Sequence, residues 1–256
     1  MGEFVVYEQS GPVVTIRLNR PERMNSLNKA LVSELEAAWK TFASDAGALV
    51  AIYTGTGKAF CAGMDIKEAA SAATLDVQTP EPPLTSFHAG EVVKPVIAAV
   101  NGYAIGGGFF DVLRCDLRVA AESATFQLAE VARSVLPHPL IEGIAGGLPD
   151  CLVVELGLGR RIGAQRAYEM GLINRVVADE QLIQEATSIA AEIAALPPLA
   201  VASTIAGLRR SRALSTDDNE LRAWQQVETR KLIASEDYQE ALAAFLEKRQ
   251  PTYKGE

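Results

Sequence analysis

The sequence predicts an α/β fold. Three observations carry that prediction: short β-rich apolar runs alternate with helical periods, two of those runs lead into glycine-bearing turns that open helices, and after about residue 162 the pattern becomes helical. "FVVYEQSGPVVTIRLN" holds two β-rich runs around Ser10-Gly11 and predicts a hairpin. "SLNKALVSELEAAWKTFAS" sets Leu27, Leu31, Leu35, Ala38 and Phe42 at a helical period. "ALVAIYTG" and "KPVIAAVNG" are short buried strands, and "LRVAAESATFQLAE" reads as two short strands around a turn. Strands separated by helices need crossover connections, so the sheet is mainly parallel. "TLDVQTPEPPLTSFHAGEVV" has closely spaced prolines and no period until its end, and is read as a surface loop. "GAQRAYEMGLI" is a helix closed by Gly171, "NRVV" a short strand, and "DEQLIQEATSIAAEIAAL" an amphipathic helix that stops before Pro197-Pro198. Further helices fill the tail from "LAVASTIAGLRRSRAL" to "DYQEALAAFLEKRQ". The organisation expected is a core over residues 1–195 and a helical region over 196–256.

A chain of 256 residues buries a sizeable core without staples. Its formal charge of −8 argues against nucleic acid as a partner and leaves room for a local basic pocket. Cys61, Cys115 and Cys151 form no CxxC pair, and their odd number fits reduced thiols in a cytoplasmic protein. With two histidines, His88 and His138, and no cysteine cluster, no metal site is expected. No apolar run reaches the roughly 18 residues of a membrane span, and the amino end has no basic n-region or apolar h-region. There is no GxxxxGK[ST], GxSxG or HExxH, and "GLGRRIG" has the wrong glycine spacing for a dinucleotide fingerprint.

Two stretches share one architecture. "ALVAIYTGTGKAFCAGMDIKE" runs from a strand through a glycine-bearing turn to a helix start at Asp65, and "KPVIAAVNGYAIGGGFFDVL" does the same. Small residues at Ala62-Gly63 and Gly106-Gly107 let a ligand reach the main chain, where N–H groups at a helix start are aligned donors. Two such turns side by side can aim two N–H groups at one developing oxyanion. Either turn alone is equally well explained by tight strand–helix packing; the pair in this order favours the donors.

"GKAFCAGMDIKE" and "KPVIAAVNGYAIGGGF" resemble the paired signatures of the crotonase (enoyl-CoA hydratase/isomerase) superfamily. The likeness begins at "IRLNRPERMNSLNKAL", continues through "CDLRVAAESATFQLAEV" and "GRRIGAQRAYEMGLINRVV", and includes the helical tail. It implies a crotonase-like spiral of ββα units, a helical C-terminal trimerisation region, and a homotrimer or hexamer. It also implies an acyl-CoA thioester as substrate, with coenzyme A part of that substrate and no other cofactor. By motif position, the N–H groups of Met64 and Gly107 resemble the oxyanion hole, with the Met64 side chain left to pack. The stretches around Arg23-Met24 and from Ala62 through Gly63 and Asp65 to Ile66 resemble the adenine and pantetheine contacts. Arg20, Arg23 and Lys67 could meet CoA phosphates or be ordinary surface cations.

The proton-transfer positions depart from the family pattern. Hydratases of the family place one glutamate three residues after the middle glycine and another seven residues before a proline in the next segment. The second is present as Glu130, seven before Pro137; the first position is Phe110, which can neither hold a water nor accept a proton. Asp111 follows it but lies about 100° round a helix and is expected to point elsewhere. A single glutamate suffices for double-bond migration, with Phe110 and Gly106 lining a dry pocket that raises the pKa of Glu130. His138, eight residues after Glu130, is either a second acid/base, with Glu142 one turn on as its partner, or a structural loop histidine. His88 is the weaker candidate, and Cys61 is read as buried packing.

The expectation is therefore an acyl-CoA-processing enzyme of the enoyl-CoA hydratase/isomerase family, best suited to enoyl-CoA isomerisation. Hydration, or hydrolysis or decarboxylation through His138, is the alternative, and a non-catalytic acyl-CoA-binding protein is the alternative of another class. Loop 79–83 and the C-terminal helices are expected to shape the acyl pocket; periodicity does not identify the acyl group.

Overall fold

The chain winds as a spiral of strand–strand–helix units; the computed structural model describes residues 2–71, 85, 87–88, 90–145, 147–196, 198–213, 226–227, 230, 233–249 and 251. β1 (Val5–Ser10) and β2 (Val13–Leu18) form the expected antiparallel hairpin, with Val5 opposite Leu18 and Ser10 opposite Val13. α1 (Lys29–Ser44) starts two residues later than Leu27, because the Asn28 side chain accepts from the Leu31 N–H at 2.9 Å and caps the helix there. At its other end Lys94 Nζ donates to the carbonyls of Phe42 (2.7 Å) and Asp45 (2.6 Å), satisfying groups a helix C-terminus leaves open.

Three units follow. β3 (Val50–Gly55) leads to β4 (Ala59–Cys61) and α2 (Ile66–Ser71); β5 (Val96–Val100) leads to β6 (Tyr103–Ile105) and α3 (Gly107–Arg114). β7 (Leu117–Ala121) leads to β8 (Thr125–Gln127), a 3-10 turn at Val131–Arg133 and α4 (His138–Ile141). Beyond them lie α5 (Asp150–Gly157), β9 (Ile162–Gly163), α6 (Ala164–Glu169), β10 (Arg175–Val177), α7 (Leu182–Ala194), α8 (Pro198–Ala213) and α9 (Glu236–Glu247). The first strand of each unit enters a six-stranded sheet of order β1-β2-β3-β5-β7-β10, parallel from β2 onward. The second enters a four-stranded sheet of order β4-β6-β8-β9, in which only β9 is antiparallel. "LRVAAESATFQLAE" therefore supplies its two strands to different sheets.

The large sheet is covered on both faces, which is why β3 and β5 read as unbroken apolar runs. Val50, Ile52, Ile97, Ala99, Val119 and Ala121 pack beneath Leu182, Ala186, Ile189 and Ala190 of α7. The alternate residues Ala51, Tyr53, Val96 and Ala98 face the main core with Leu31, Leu35, Trp39 and Phe42 of α1. Each large apolar side chain buried there stabilises the fold by roughly 1.5–3 kcal/mol. α9 packs against α2 and the 131–133 turn, with the Arg133 guanidinium 5.7 Å from the Phe245 ring centroid. No helix among the described residues is long and apolar enough to cross a membrane.

One expectation needs correction. The proline-rich part of the 74–93 segment, loop 79–83 included, lies outside the described residues, but its carboxyl end is no surface loop. Thr85, Phe87 and Val92 are buried, and the Phe87 ring stacks on Trp39 with centroids 4.5 Å apart. An aromatic residue adjoining a histidine and following a threonine anchors that end in the core.

Candidate active site

The segment between β2 and α1 braces one side of the site. Asn25 is fully buried with φ +56°; its Oδ1 accepts from the Arg20 N–H at 2.8 Å, and its Nδ2 donates to the carbonyls of Thr56 (3.0 Å) and Ala59 (2.8 Å). Arg20 Nη1 donates to Asp65 Oδ2 at 2.6 Å, to Ser26 Oγ and to the Ser26 carbonyl. Burial pushes the Asp65 carboxyl up, but the Arg20 hydrogen bond and charge, with the Glu68 and Lys67 N–H groups, hold it below the ordinary carboxylate value. This guanidinium edge, offered by the sequence as a phosphate contact, is committed to bracing the turn. Asp65 likewise uses its carboxylate inside the protein, with Oδ1 accepting from the Lys67 N–H at 3.1 Å.

Met64 sits on that brace in a parallel bridge to Leu27. The Leu27 N–H donates to the Gly63 carbonyl at 2.8 Å, and the Asp65 N–H donates to the Leu27 carbonyl at 2.9 Å. The bridge therefore uses the groups flanking Met64, and the N–H of Met64 itself points the other way. Gly63, at φ +80°, makes the turn, and a Cβ on it would fall 2.7 Å from the Ile105 carbonyl and 3.2 Å from the Gly107 nitrogen. The two backbones thus meet at Gly63 and Gly107. The Met64 side chain, expected to pack, is 44% exposed. Ala62 and Ile66 are half-buried beside it, Met24 holds Ala62 through a carbonyl that accepts its N–H at 3.0 Å, and Arg23 and Lys67 are exposed.

The three consecutive glycines have three different reasons. Gly106 adopts φ +54°, and a Cβ there would lie 2.9 Å from Glu130 Oε1. Gly107 opens α3 with its amide among the helix-start groups that have no intrahelical acceptor. Among the described residues, neither its N–H nor that of Met64 donates to a protein acceptor. Gly108 lies against β4, where a Cβ would meet the Cys61 carbonyl oxygen at 2.3 Å. A carboxylate therefore lies against Gly106, and the adjoining residue offers an amide beside that of Met64. This is a place to hold an oxyanion and move a proton next to it.

The phenylalanines follow from the helix. Phe109 is fully buried and packs on Phe126, with ring centroids 5.3 Å apart, and Phe110, 6% exposed, is on the first turn. Glu130 is half-buried at the head of the 131–133 turn, where its carbonyl accepts from the Arg133 and Val135 N–H groups. His138 is half-buried as the first residue of α4, and its carbonyl accepts from the exposed Glu142 at 2.9 Å. Cys61 is buried, and its Sγ accepts from the Gly63 N–H at 3.4 Å; burial, then the Asp111 charge, push the thiol far up.

Asp111 points away from Phe110, into the core, where Tyr53 and His88 bind it at 2.9 and 2.6 Å. The weaker of the two histidine candidates thus has a buried partner, Asp111. A readable signal existed: Asp111 is the only acid in the apolar stretch "GGFFDVL", and a carboxylate turned into a core requires donors.

The sequence model of the enoyl-CoA hydratase/isomerase family matches residues 8–256. Mevalonyl-coenzyme A hydratase of Aspergillus fumigatus is 36% identical over 252 residues, covering 94% of this chain and 91% of that protein. The 2,3-dehydroadipyl-CoA hydratase of Escherichia coli is 35% identical over 265 residues and covers both chains fully. Among solved structures, a methylmalonyl-CoA decarboxylase superposes with a TM-score of 0.87 at 30% identity, over 99% of this chain and 98% of its own.

Proposed function

We propose that this chain, which belongs to the enoyl-CoA hydratase/isomerase family, holds an acyl-CoA thioester by its carbonyl oxygen between the Met64 and Gly107 N–H groups and moves a proton with Glu130. The observation that carries the reading is the Glu130 carboxylate lying against Gly106, one residue from the Gly107 amide. The carboxylate takes a proton from C2 of a 3-enoyl thioester. The electron pair delocalises through the carbonyl to an oxygen held by the two donors, and the same proton returns at C4 to leave the 2-enoyl thioester. Losing one such donor costs about 10²–10³ in kcat at comparable oxyanion sites. Phe110 supplies no second carboxylate, and its buried ring keeps water from the face a hydratase would use. Double-bond migration is the reaction these residues suit best.

The relatives' names favour a second reading, hydration of a 2-enoyl thioester. Water addition requires a second acid/base, and His138 is the side chain for that role. Incubation with a 3-enoyl-CoA and with a 2-enoyl-CoA, following migration and hydration separately, tests both readings. Migration without appreciable hydration, abolished by Glu130→Gln, supports the single-glutamate reaction. Hydration lost in His138→Gln supports the second reading. Thioester binding with neither reaction marks a binding protein.

A further inference from the structure

Asp111 is 1% exposed, and every atom of its carboxylate is engaged. Oδ2 accepts from the Tyr53 hydroxyl at 2.9 Å, and Oδ1 lies 2.6 Å from His88 Nε2. Across the imidazole, Nδ1 faces the Thr85 hydroxyl at 2.7 Å and the Thr85 backbone N–H at 3.2 Å. A backbone N–H can only donate, so Nδ1 is the acceptor nitrogen and the ring proton sits on Nε2, donated to Asp111. Each member of the chain Thr85–His88–Asp111–Tyr53 then has a partner, as polar groups at this depth require. Thr85 is itself 1% exposed, so its hydroxyl anchors the ring rather than attacking a substrate.

This network joins three parts of the fold. Thr85 and His88 belong to the segment leading into β5, Tyr53 to β3 and Asp111 to α3, while Phe87 wedges against Trp39 of α1. Asp111 lies four residues after Gly107, on the same face of α3 one turn below the amide. Gly107 and Gly108 have no side chains, so that end is held by the Phe109 ring against Phe126 and by the Gly106 N–H, which donates to the Gln127 carbonyl at 2.8 Å; neither is a polar side-chain bond from α3. Arg118 holds the other end, donating to the carbonyls of Val112, Leu113 and Cys115 at 2.9, 2.7 and 3.2 Å. Between the two, the bonds of Asp111 to His88 and Tyr53 are, among the described residues, the side-chain hydrogen bonds of α3 nearest in sequence to the Gly107 donor.

We infer that Asp111, acting through His88, is a positioning residue for the oxyanion hole: it fixes the rotation of α3 against Thr85 and His88 and so aims the Gly107 N–H. The inference rests on the reading of Gly107 as a donor to the thioester oxygen.

Exchange of the C2 protons of butyryl-CoA in deuterium oxide reads enolate formation without presuming which reaction follows. Asp111→Asn keeps the volume but loses the charged acceptor. It should lower kcat for exchange about 10- to 100-fold, as a misaimed group does, with KM changed less than about threefold. His88→Gln, which keeps a donor toward Asp111 but gives up the Thr85 anchor, should show the same kcat-weighted loss and serves if the first variant does not fold. In the wild-type protein, histidine-selective 15N NMR should show one imidazole as the Nε2-protonated tautomer. Unchanged kcat in a folded variant, a loss confined to KM, or a His88 ring protonated on Nδ1 would overturn the inference. If the wild-type protein exchanges no proton, the oxyanion reading itself falls; if it does and the variants match it, only the positioning role falls.

Discussion

Glu130 Oε1 occupies the space that any side chain at Gly106 would enter, 2.9 Å from the position of its first carbon. The carboxylate and the glycine are fitted to each other, and the left-handed backbone at φ +54° makes the fit possible. Gly106→Ala adds both a displaced carboxylate and backbone strain of about 1–2 kcal/mol. Turnover should fall about 10²-fold, more than the loss of stability explains. A thermal melt beside steady-state kinetics checks this; a variant that melts lower but turns over normally would show that the contact is structural.

Phe110→Glu places a carboxylate on the first turn of α3, in a position only 6% exposed. The product ratio should shift toward hydration when 2- and 3-enoyl thioesters are supplied, with a stability cost of roughly 1–3 kcal/mol from the desolvated group. An unchanged ratio in a folded variant would mean that Phe110 does not exclude the attacking water.

The Asp65–Arg20 pair gives a signed pH dependence. The folded carboxyl titrates below its unfolded value of about 3.9, so its contribution is complete above that pH and disappears as pH falls through the folded value. Asp65→Asn should cost about 2 kcal/mol at pH 7 and less at an acidic pH below about 3.9. Denaturant melts of both proteins at the two pH values measure the difference; an equal gap at both would remove the charge from the account.

Thiol labelling separates the three cysteines. Cys61 and Cys115 are buried and Cys151 is exposed, and the Cys61 thiol is pushed far above the ordinary range. Iodoacetamide at neutral pH should modify Cys151 alone in the native protein and all three in denaturant, as read by peptide mass. Modification of native Cys61 would contradict its burial beside the Gly63 turn.

Much of this was legible in the residues. The strands β1, β2, β3, β5, β7 and β10 carry enough β-branched and aliphatic residues to be read one by one, and both glycine turns fall where their spacing puts them. β4, β6 and β9 are two or three residues long, too short for any period to register, and β8 was read without its neighbours, so the smaller sheet could not be seen as a sheet. The role of Arg20 was hidden for another reason: its partner Asp65 is 45 residues away, and a surface arginine and a bracing one have the same local sequence. His88 was obscured by its proline-rich neighbourhood, whose composition says loop while the aromatic and polar residues at its end say core.

The strands β4 and β6 lie side by side and parallel, and the Met64 and Gly107 amides follow their ends by a few residues. Adjacent strands are held about 4.8 Å apart by backbone hydrogen bonds whatever side chains they carry. The spacing of these two amides, the pair proposed to hold the thioester oxygen, is therefore set by the sheet rather than by the residues at 110, 130 and 138. Side chains can be exchanged at those three positions while the gap between the two amides keeps its width.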